Sequence, residues 1–242
     1  MGRPYQNPGF SFAVWRKEPM IKCVVFDLDG TLVDIGELFG RVFTMFLSRL
    51  HLPAIGFDQR GDPWASAYDA VVSRFPWLAK LIGGKSFGDA WEDVLREMLG
   101  RNEVRPYHGA LDTLKALRAA GKKLCLATNT PKRFVEIKLT TFGLREFFEC
   151  VFTPQDEWGG KPSPKSLHYA MEKLGLSPHE VLMVGDHAQD VQYGRNAGIR
   201  TAAVLSGYGS PEELKAASPD FLIADVREVV QIANNVQDGK VG

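Results

Sequence analysis

Short apolar or β-branched runs alternate with amphipathic stretches along most of this chain. Residues 21–26 form a run brief enough for a strand buried on both faces, ending at Asp27-Leu-Asp-Gly-Thr, where Gly30 permits a sharp turn. From Gly109 onward the two kinds of segment take turns. The pattern predicts strands over 123–128, 150–153, 181–184, 200–205 and 221–223. Helices are expected over 111–120, 131–142, 164–174, 189–197, 211–217 and 226–234, with Thr130 as the N-cap of the second and Gly121, Gly175 and Gly198 closing three of them. Alternation of this kind predicts an α/β fold with a parallel sheet covered by helices on both faces.

Between Asp34 and Tyr107 the period changes. Leu38, Val42, Met45, Phe46 and Arg49 follow helical spacing, as do Phe87, Trp91, Val94, Leu95 and Met98. Asp62-Pro63 supplies an N-cap and first-turn proline for a further helix reaching about residue 75. No strand pattern is visible in this stretch, so it is read as a helical domain inserted after the first strand. Residues 1–19 are rich in Pro and Gly and read as a loose tail, although the apolar patch at 10–15 has the character of an edge strand. The expected organisation is an N-terminal extension (1–20), a core (21–33 with 108–236), a helical cap (34–107) and a C-terminal tail (237–242).

Composition narrows the function classes. The 242 residues are 45% hydrophobic and 24% charged, ordinary for a globular protein. Lys plus Arg and Asp plus Glu both number 29, so there is no bulk attraction to nucleic acid or an anionic membrane. Cys23, Cys125 and Cys150 are too few and too scattered for a disulfide framework or zinc site, and the two that sit inside apolar runs are expected to be buried thiols. No apolar run approaches the roughly 20 residues of a membrane span. Residues 1–20 lack a signal-peptide core, and a cytoplasmic protein is expected.

In parallel sheets chemistry gathers at the carboxyl ends of the strands. There this sequence places Asp27 and Asp29, then Thr128 and Asn129, then Asp186 and Asp190. Each Asp alone is most simply a turn former or cap. Together, four carboxylates at one edge repel unless a cation lies between them, and an all-oxygen donor set suits a hard ion such as Mg²⁺. A divalent ion among carboxylates implies an anionic partner, of which phosphate is the commonest. The Thr128 hydroxyl and the Asn129 backbone N–H suit a phosphate oxygen. Lys161, in Gly159-Gly-Lys-Pro-Ser, has its backbone restricted by Pro162 and is placed to neutralise charge on a transferring phosphoryl group. Singly it reads as a solvated loop charge.

Asp27-Leu-Asp-Gly-Thr, Thr128-Asn129, Lys161-Pro162 and Gly185-Asp186-His-Ala-Gln-Asp190 stand in the order and spacing of the four motifs of haloacid dehalogenase-like hydrolases, a resemblance spanning about residues 21–236. The helical insertion between the first two motifs resembles the cap of phosphoglycolate phosphatase-like and β-phosphoglucomutase-like members. The resemblance implies a Rossmann-like core and Mg²⁺-dependent hydrolysis of a small phosphate monoester. Asp27 would be the nucleophile that forms an aspartyl-phosphate, and Asp29 the acid that protonates the leaving alcohol and then the base that activates water. Crowding by the other carboxylates is expected to retain the Asp29 proton. Asp27, the backbone carbonyl of Asp29 and Asp186, supported by Asp190, would hold the metal; Thr128, Asn129 and Lys161 would hold the phosphoryl oxygens. The expected partner is a small phosphorylated metabolite, not nucleic acid or membrane, and the chain a monomer or homodimer.

Other readings stay open. A phosphomutase needs cap cations for a second phosphate, and Arg41, Arg49, Arg60, Arg74, Lys80 and Lys85 are available, Arg74 beside Phe75-Pro76-Trp77 foremost. A non-catalytic phospho-ligand module predicts loss of Asp27 or Asp29, and both are present. A phosphoprotein phosphatase is disfavoured by the obstruction of a cap. Ala79…Gly84-Lys85-Ser86 nearly spells a phosphate-binding loop but lacks its first glycine and a preceding strand, and is read as a cap loop. His187 decides nothing alone.

Overall fold

The computed structural model describes residues 20–36, 38–49, 51 and 85–235. Its strands in chain order are β1 (Cys23–Phe26), β2 (Val33–Asp34), β3 (Arg105–Pro106), β4 (Lys123–Ala127), β5 (Cys150–Phe152), β6 (Val181–Gly185), β7 (Arg200–Val204) and β8 (Phe221–Ile223). The described helices are α1 (Leu38–Arg49), α2 (Lys85–Gly100), α3 (Ala110–Ala119), α4 (Lys132–Thr141), α5 (Lys165–Leu174), α6 (Ala188–Asn196), α7 (Pro211–Ala217) and α8 (Val229–Asn235). The expected helix at 62–75, the tails at 1–19 and 237–242, and residues 79–84 of the loop-like motif lie outside the described residues.

Six strands form one sheet in the order β5-β4-β1-β6-β7-β8, with every pairing parallel. The brevity and apolarity of β1 follow from its central place. Val24 and Phe26 pack into one core with Leu124, Leu126, Leu182 and Val184, while Cys23 and Val25 face the other with Cys125, Met183 and Tyr193. A strand covered on both faces has no polar side to alternate with. The three cysteines are buried and free, as their apolar surroundings predict.

The inserted segment joins the sheet through a feature that the hydrophobic pattern does not announce. β2 and β3 pair antiparallel, Val33 opposite Pro106 and Asp34 opposite Arg105, where an all-helical stretch was expected. Two-residue strands are too short to show alternation. Beyond them α1 packs on α2. Trp91 of α2 reaches the core, its ring 5.5 Å from that of Phe134 on α4. Thr130 does not cap α4: Pro131 occupies that position without a side-chain cap, and the threonine hydroxyl is used elsewhere.

Candidate active site

After β1 the chain first builds β4 and β5 on one side, then returns to place β6, β7 and β8 on the other. The crevice where direction reverses lies between the ends of β1 and β6, the position at which open α/β sheets bind ligands. Asp27 follows β1 directly, its N–H continuing the ladder to the Val184 carbonyl at 2.8 Å. Asp186 follows β6. Strand geometry, not loop flexibility, therefore fixes both carboxylates.

Lys161 reaches this edge from the loop after β5. Its ammonium lies 2.5 Å from Asp27 Oδ1 and 2.5 Å from Asp190 Oδ1, and its side chain is only 6% exposed. It is no solvated loop charge. Burial opposes its charge, but the two carboxylates hold its pKa above the ordinary lysine value. Asp27 is pushed up to about 7, chiefly by burial and further by Asp190 and Asp186, against the pull of Lys161. One lysine is shared among these carboxylates.

Asp186 sits in a close-fitting cradle. Thr31 Oγ1 donates to its Oδ1 at 2.9 Å, the Tyr208 N–H donates to its Oδ2 at 2.9 Å, and His187 Nδ1 lies 3.1 Å from the same oxygen. Gly30 and Gly207 form the walls: a Cβ on either would come within 2.2 Å of the Asp186 side chain. Gly30 also has φ +88°, a conformation that glycine alone adopts without strain. The glycine of Asp27-Leu-Asp-Gly-Thr is thus required twice, by the turn and by the neighbouring carboxylate. Asp190, on the first turn of α6, accepts the His187 N–H at 3.1 Å.

Asp29 stands apart from the other carboxylates. Lys138 Nζ donates to its Oδ1 at 2.6 Å and its Oδ2 at 2.5 Å, and Thr130 Oγ1 donates to Oδ2 at 2.6 Å. Sequence reasoning expected Asp29 to be governed by negative neighbours; it instead has a lysine of its own. Lys138 went unnoticed because it comes from a helix rather than a strand end. A signal existed: it falls on the buried stripe of α4, four residues after Phe134 and beside Val135 and Leu139. A lysine on an apolar face needs a buried anion.

The phosphate-binding candidates are also at this edge. Thr128 is buried, its Oγ1 accepting the Thr130 N–H at 3.1 Å. The Asn129 side chain braces the lysine loop, with Oδ1 accepting the Lys161 N–H at 2.9 Å and Nδ2 donating to Gln189 Oε1 at 2.8 Å. Tyr208 was also missed. Its backbone holds Asp186 while its hydroxyl donates to Asp34 Oδ1 at 2.9 Å and accepts the N–H groups of Ile35 and Gly36 at 2.8 and 3.1 Å. Burial, reinforced by Tyr107 and Asp34, drives its phenol well above the ordinary tyrosine value.

The donor set fits a hard divalent cation. Ligand atoms of Asp186, His187 and Asp190 lie within 4.8 Å of one another, and Asp27 shares Lys161 with Asp190. With Asp29 neutralised by Lys138, the carboxylates of Asp27, Asp186 and Asp190 face a single lysine, two charges short of neutral once Asp27 is ionised.

Comparison with known proteins agrees with this geometry. A profile of haloacid dehalogenase-like hydrolases matches residues 21–198. The chain is 30% identical over 223 residues to an N-acetylmuramic acid 6-phosphate phosphatase of Pseudomonas aeruginosa, covering 89% of this chain and 96% of the relative. It is 32% identical over 218 residues to the pyrophosphatase PpaX of Bacillus pumilus, covering 89% and 97%. The crystal structure of a predicted phosphoglycolate phosphatase from Haemophilus somnus superposes with a TM-score of 0.72 at 26% identity, covering 88% of this chain and 98% of that one. With four motifs converging on one sheet edge and the family matching most of its length, the chain belongs to the haloacid dehalogenase-like hydrolases.

Proposed function

We propose that this hydrolase is a Mg²⁺-dependent phosphatase of small phosphate monoesters, acting through an aspartyl-phosphate on Asp27. The observation that carries the reading is the buried contact of Lys161 with Asp27 and Asp190 beside Asp186, which leaves a charge deficit of one divalent ion. The names of the relatives, which act on a sugar phosphate and on pyrophosphate, support a small phosphorylated substrate.

A bound ion would be held by Asp27, the backbone carbonyl of Asp29, Asp186 and Asp190. It would reduce the repulsion between the Asp27 carboxylate and an anionic phosphate and favour the ionised form of that carboxylate. Asp27 attacks phosphorus and the ester bond breaks; Asp29, ionised against Lys138 in the resting site, must take up a proton with the substrate and passes that proton to the departing alcohol oxygen. Asp29 then takes a proton from water, whose oxygen attacks the same phosphorus and releases phosphate and free Asp27. Thr128, the Asn129 backbone and Lys161 bind the phosphoryl oxygens, where positive and N–H donors meet the charge of the transition state.

A phosphomutase would need a free cation for a second phosphate. Of the six cap cations named above, only Arg41 has a described side chain, and it is paired with Glu97 and Glu103. Hydrolysis is preferred because the relatives that share 30% or more of their residues with this chain are named as phosphatases. Purified protein assayed with Mg²⁺ against a panel of phosphorylated metabolites is expected to release phosphate. Asp27→Asn should abolish turnover by on the order of 10⁶-fold, the scale of losing a nucleophile. Full activity in that variant, or in excess chelator, refutes the mechanism.

A further inference from the structure

Lys138 belongs to none of the four motifs, yet its side chain is 0% exposed and its ammonium spans both oxygens of Asp29. Asp29 itself is 16% exposed. The ion pair thus joins a wholly buried ammonium to a carboxylate that solvent still reaches. A carboxylate offers about four acceptor positions. Among the described residues, Lys138 takes one on each oxygen and the Thr130 hydroxyl a second on Oδ2. The position left over is on Oδ1. Three donors on a planar group fix both its rotamer and its plane. The ammonium is held in turn by the buried stripe of α4, where Phe134, Val135 and Leu139 surround its place on the helix.

We propose that Lys138, assisted by Thr130, is a positioning residue that aims Oδ1 of Asp29 at the oxygen of the departing alcohol. The inference rests on the phosphatase reading above and deepens it. Lys138 touches no reacting atom. It acts by preventing Asp29 from turning away, so in the first step, release of the alcohol, which kcat/KM reports, its contribution matters only where proton donation limits the rate.

That restriction provides the test. Ethyl phosphate has a leaving group that must be protonated, whereas p-nitrophenyl phosphate leaves as a stable anion. Lys138→Met should lower kcat/KM for ethyl phosphate by about 10²-fold, within the range of general acid catalysis. For p-nitrophenyl phosphate the loss in kcat/KM should be less than about tenfold. Lys138→Arg, which keeps a buried donor pair, should recover part of the ethyl phosphate rate. Thr130→Val, a milder change that keeps the charge, should show the same selectivity at about fivefold, the scale of one hydrogen bond. It keeps the question answerable if the methionine variant does not fold. Equal losses on the two substrates, or none on either, overturn the positioning role while leaving the phosphatase reading standing. A wild-type protein inactive on both esters and on the metabolite panel overturns both.

Discussion

Lys161 serves two carboxylates and Lys138 serves one, and the difference divides the site into a region short of positive charge and a region already neutral. Both lysines are buried, both lie about hydrogen-bond distance from an aspartate, and both are placed by the same parallel sheet. Lys161 arrives on a loop braced by Asn129, Lys138 on the apolar stripe of a helix. Around Lys161 the unbalanced carboxylates make room for a cation, and burial with mutual repulsion lifts Asp27 to about 7. Around Lys138 the count closes without one. On the proposed reading, the metal-holding side chains and the acid–base carboxylate therefore each have a lysine of their own, and their charge balances are separate.

The largest expected break in this contrast comes from Lys161→Met. Removing one partner of a buried ion pair costs about 3–5 kcal/mol, because the remaining charge has neither water nor a counter-ion. Lys138→Met should cost less, since the partly exposed Asp29 can rehydrate. The two variants should also differ in their response to Mg²⁺. Added ion supplies the missing charge near Asp27 and Asp190, so the gain in Tm on adding Mg²⁺ should be larger in Lys161→Met than in wild type. In Lys138→Met the gain should match wild type. Thermal unfolding with and without Mg²⁺ measures all three proteins, and identical gains would erase the proposed division.

A second and smaller effect follows from the raised Asp27. In the metal-free folded state this carboxyl keeps its proton up to about pH 7, whereas the unfolded chain releases it near 3.8. Between those values the folded state binds more protons, so the contribution of Asp27 to stability is full below about pH 4 and is lost as pH rises through about 7. Metal requires the ionised carboxylate. Its affinity should therefore be full above about pH 7 and fall, toward about tenfold per pH unit, as pH drops below it. Unfolding measured from pH 5 to 8 should show the Mg²⁺-dependent increment growing with pH while the Asp27 contribution without Mg²⁺ declines. Titration calorimetry showing pH-independent Mg²⁺ affinity would contradict the assignment.

The same contrast explains what the sequence made legible. Asp27, Thr128 and Asp186 are found by locating strand ends, because the sheet itself carries them to one edge, and apolar runs with glycine stops locate strands well. Lys161 was found by its motif, although its burial contradicts what a Gly-Gly-Lys-Pro loop suggests alone. Lys138, Thr31 and Tyr208 were missed for one physical reason. Each acts on a carboxylate more than a hundred residues away or across the topological switch, and no local period records such a partner, except the charged residue on the apolar stripe of α4. The strands β2 and β3 escaped because two residues cannot show an alternation. Thr130 was assigned to a helix end, the usual task of a threonine in that place, while its hydroxyl serves Asp29.

The gentlest probe concerns the strip that joins the charge-deficient region to the inserted helices. Tyr208 binds Asp186 through its backbone and the chain at Asp34, Ile35 and Gly36 through its hydroxyl. Tyr208→Phe leaves the backbone contact with Asp186 intact and removes only the bonds to the strip. Two N–H groups lose an acceptor and Asp34 loses a donor, but Gly36 is exposed and keeps Asp34 as an alternative partner, so water and that carboxylate replace much of the loss. The expected cost is about 1–2 kcal/mol, the range for a partly solvated hydrogen-bonded hydroxyl. Hydrogen exchange should locate it: amides at 33–36, 105 and 107, on β2, β3 and the adjoining turn, should exchange faster, while those of β1 and β6 keep their protection. Mg²⁺ affinity should change less than about twofold, because the Asp186 cradle of Thr31, His187 and the Tyr208 N–H survives. A large loss of Mg²⁺ affinity would mean that the hydroxyl, not the backbone, sets the position of Asp186, and the connecting strip would then belong to the metal region instead of bordering it.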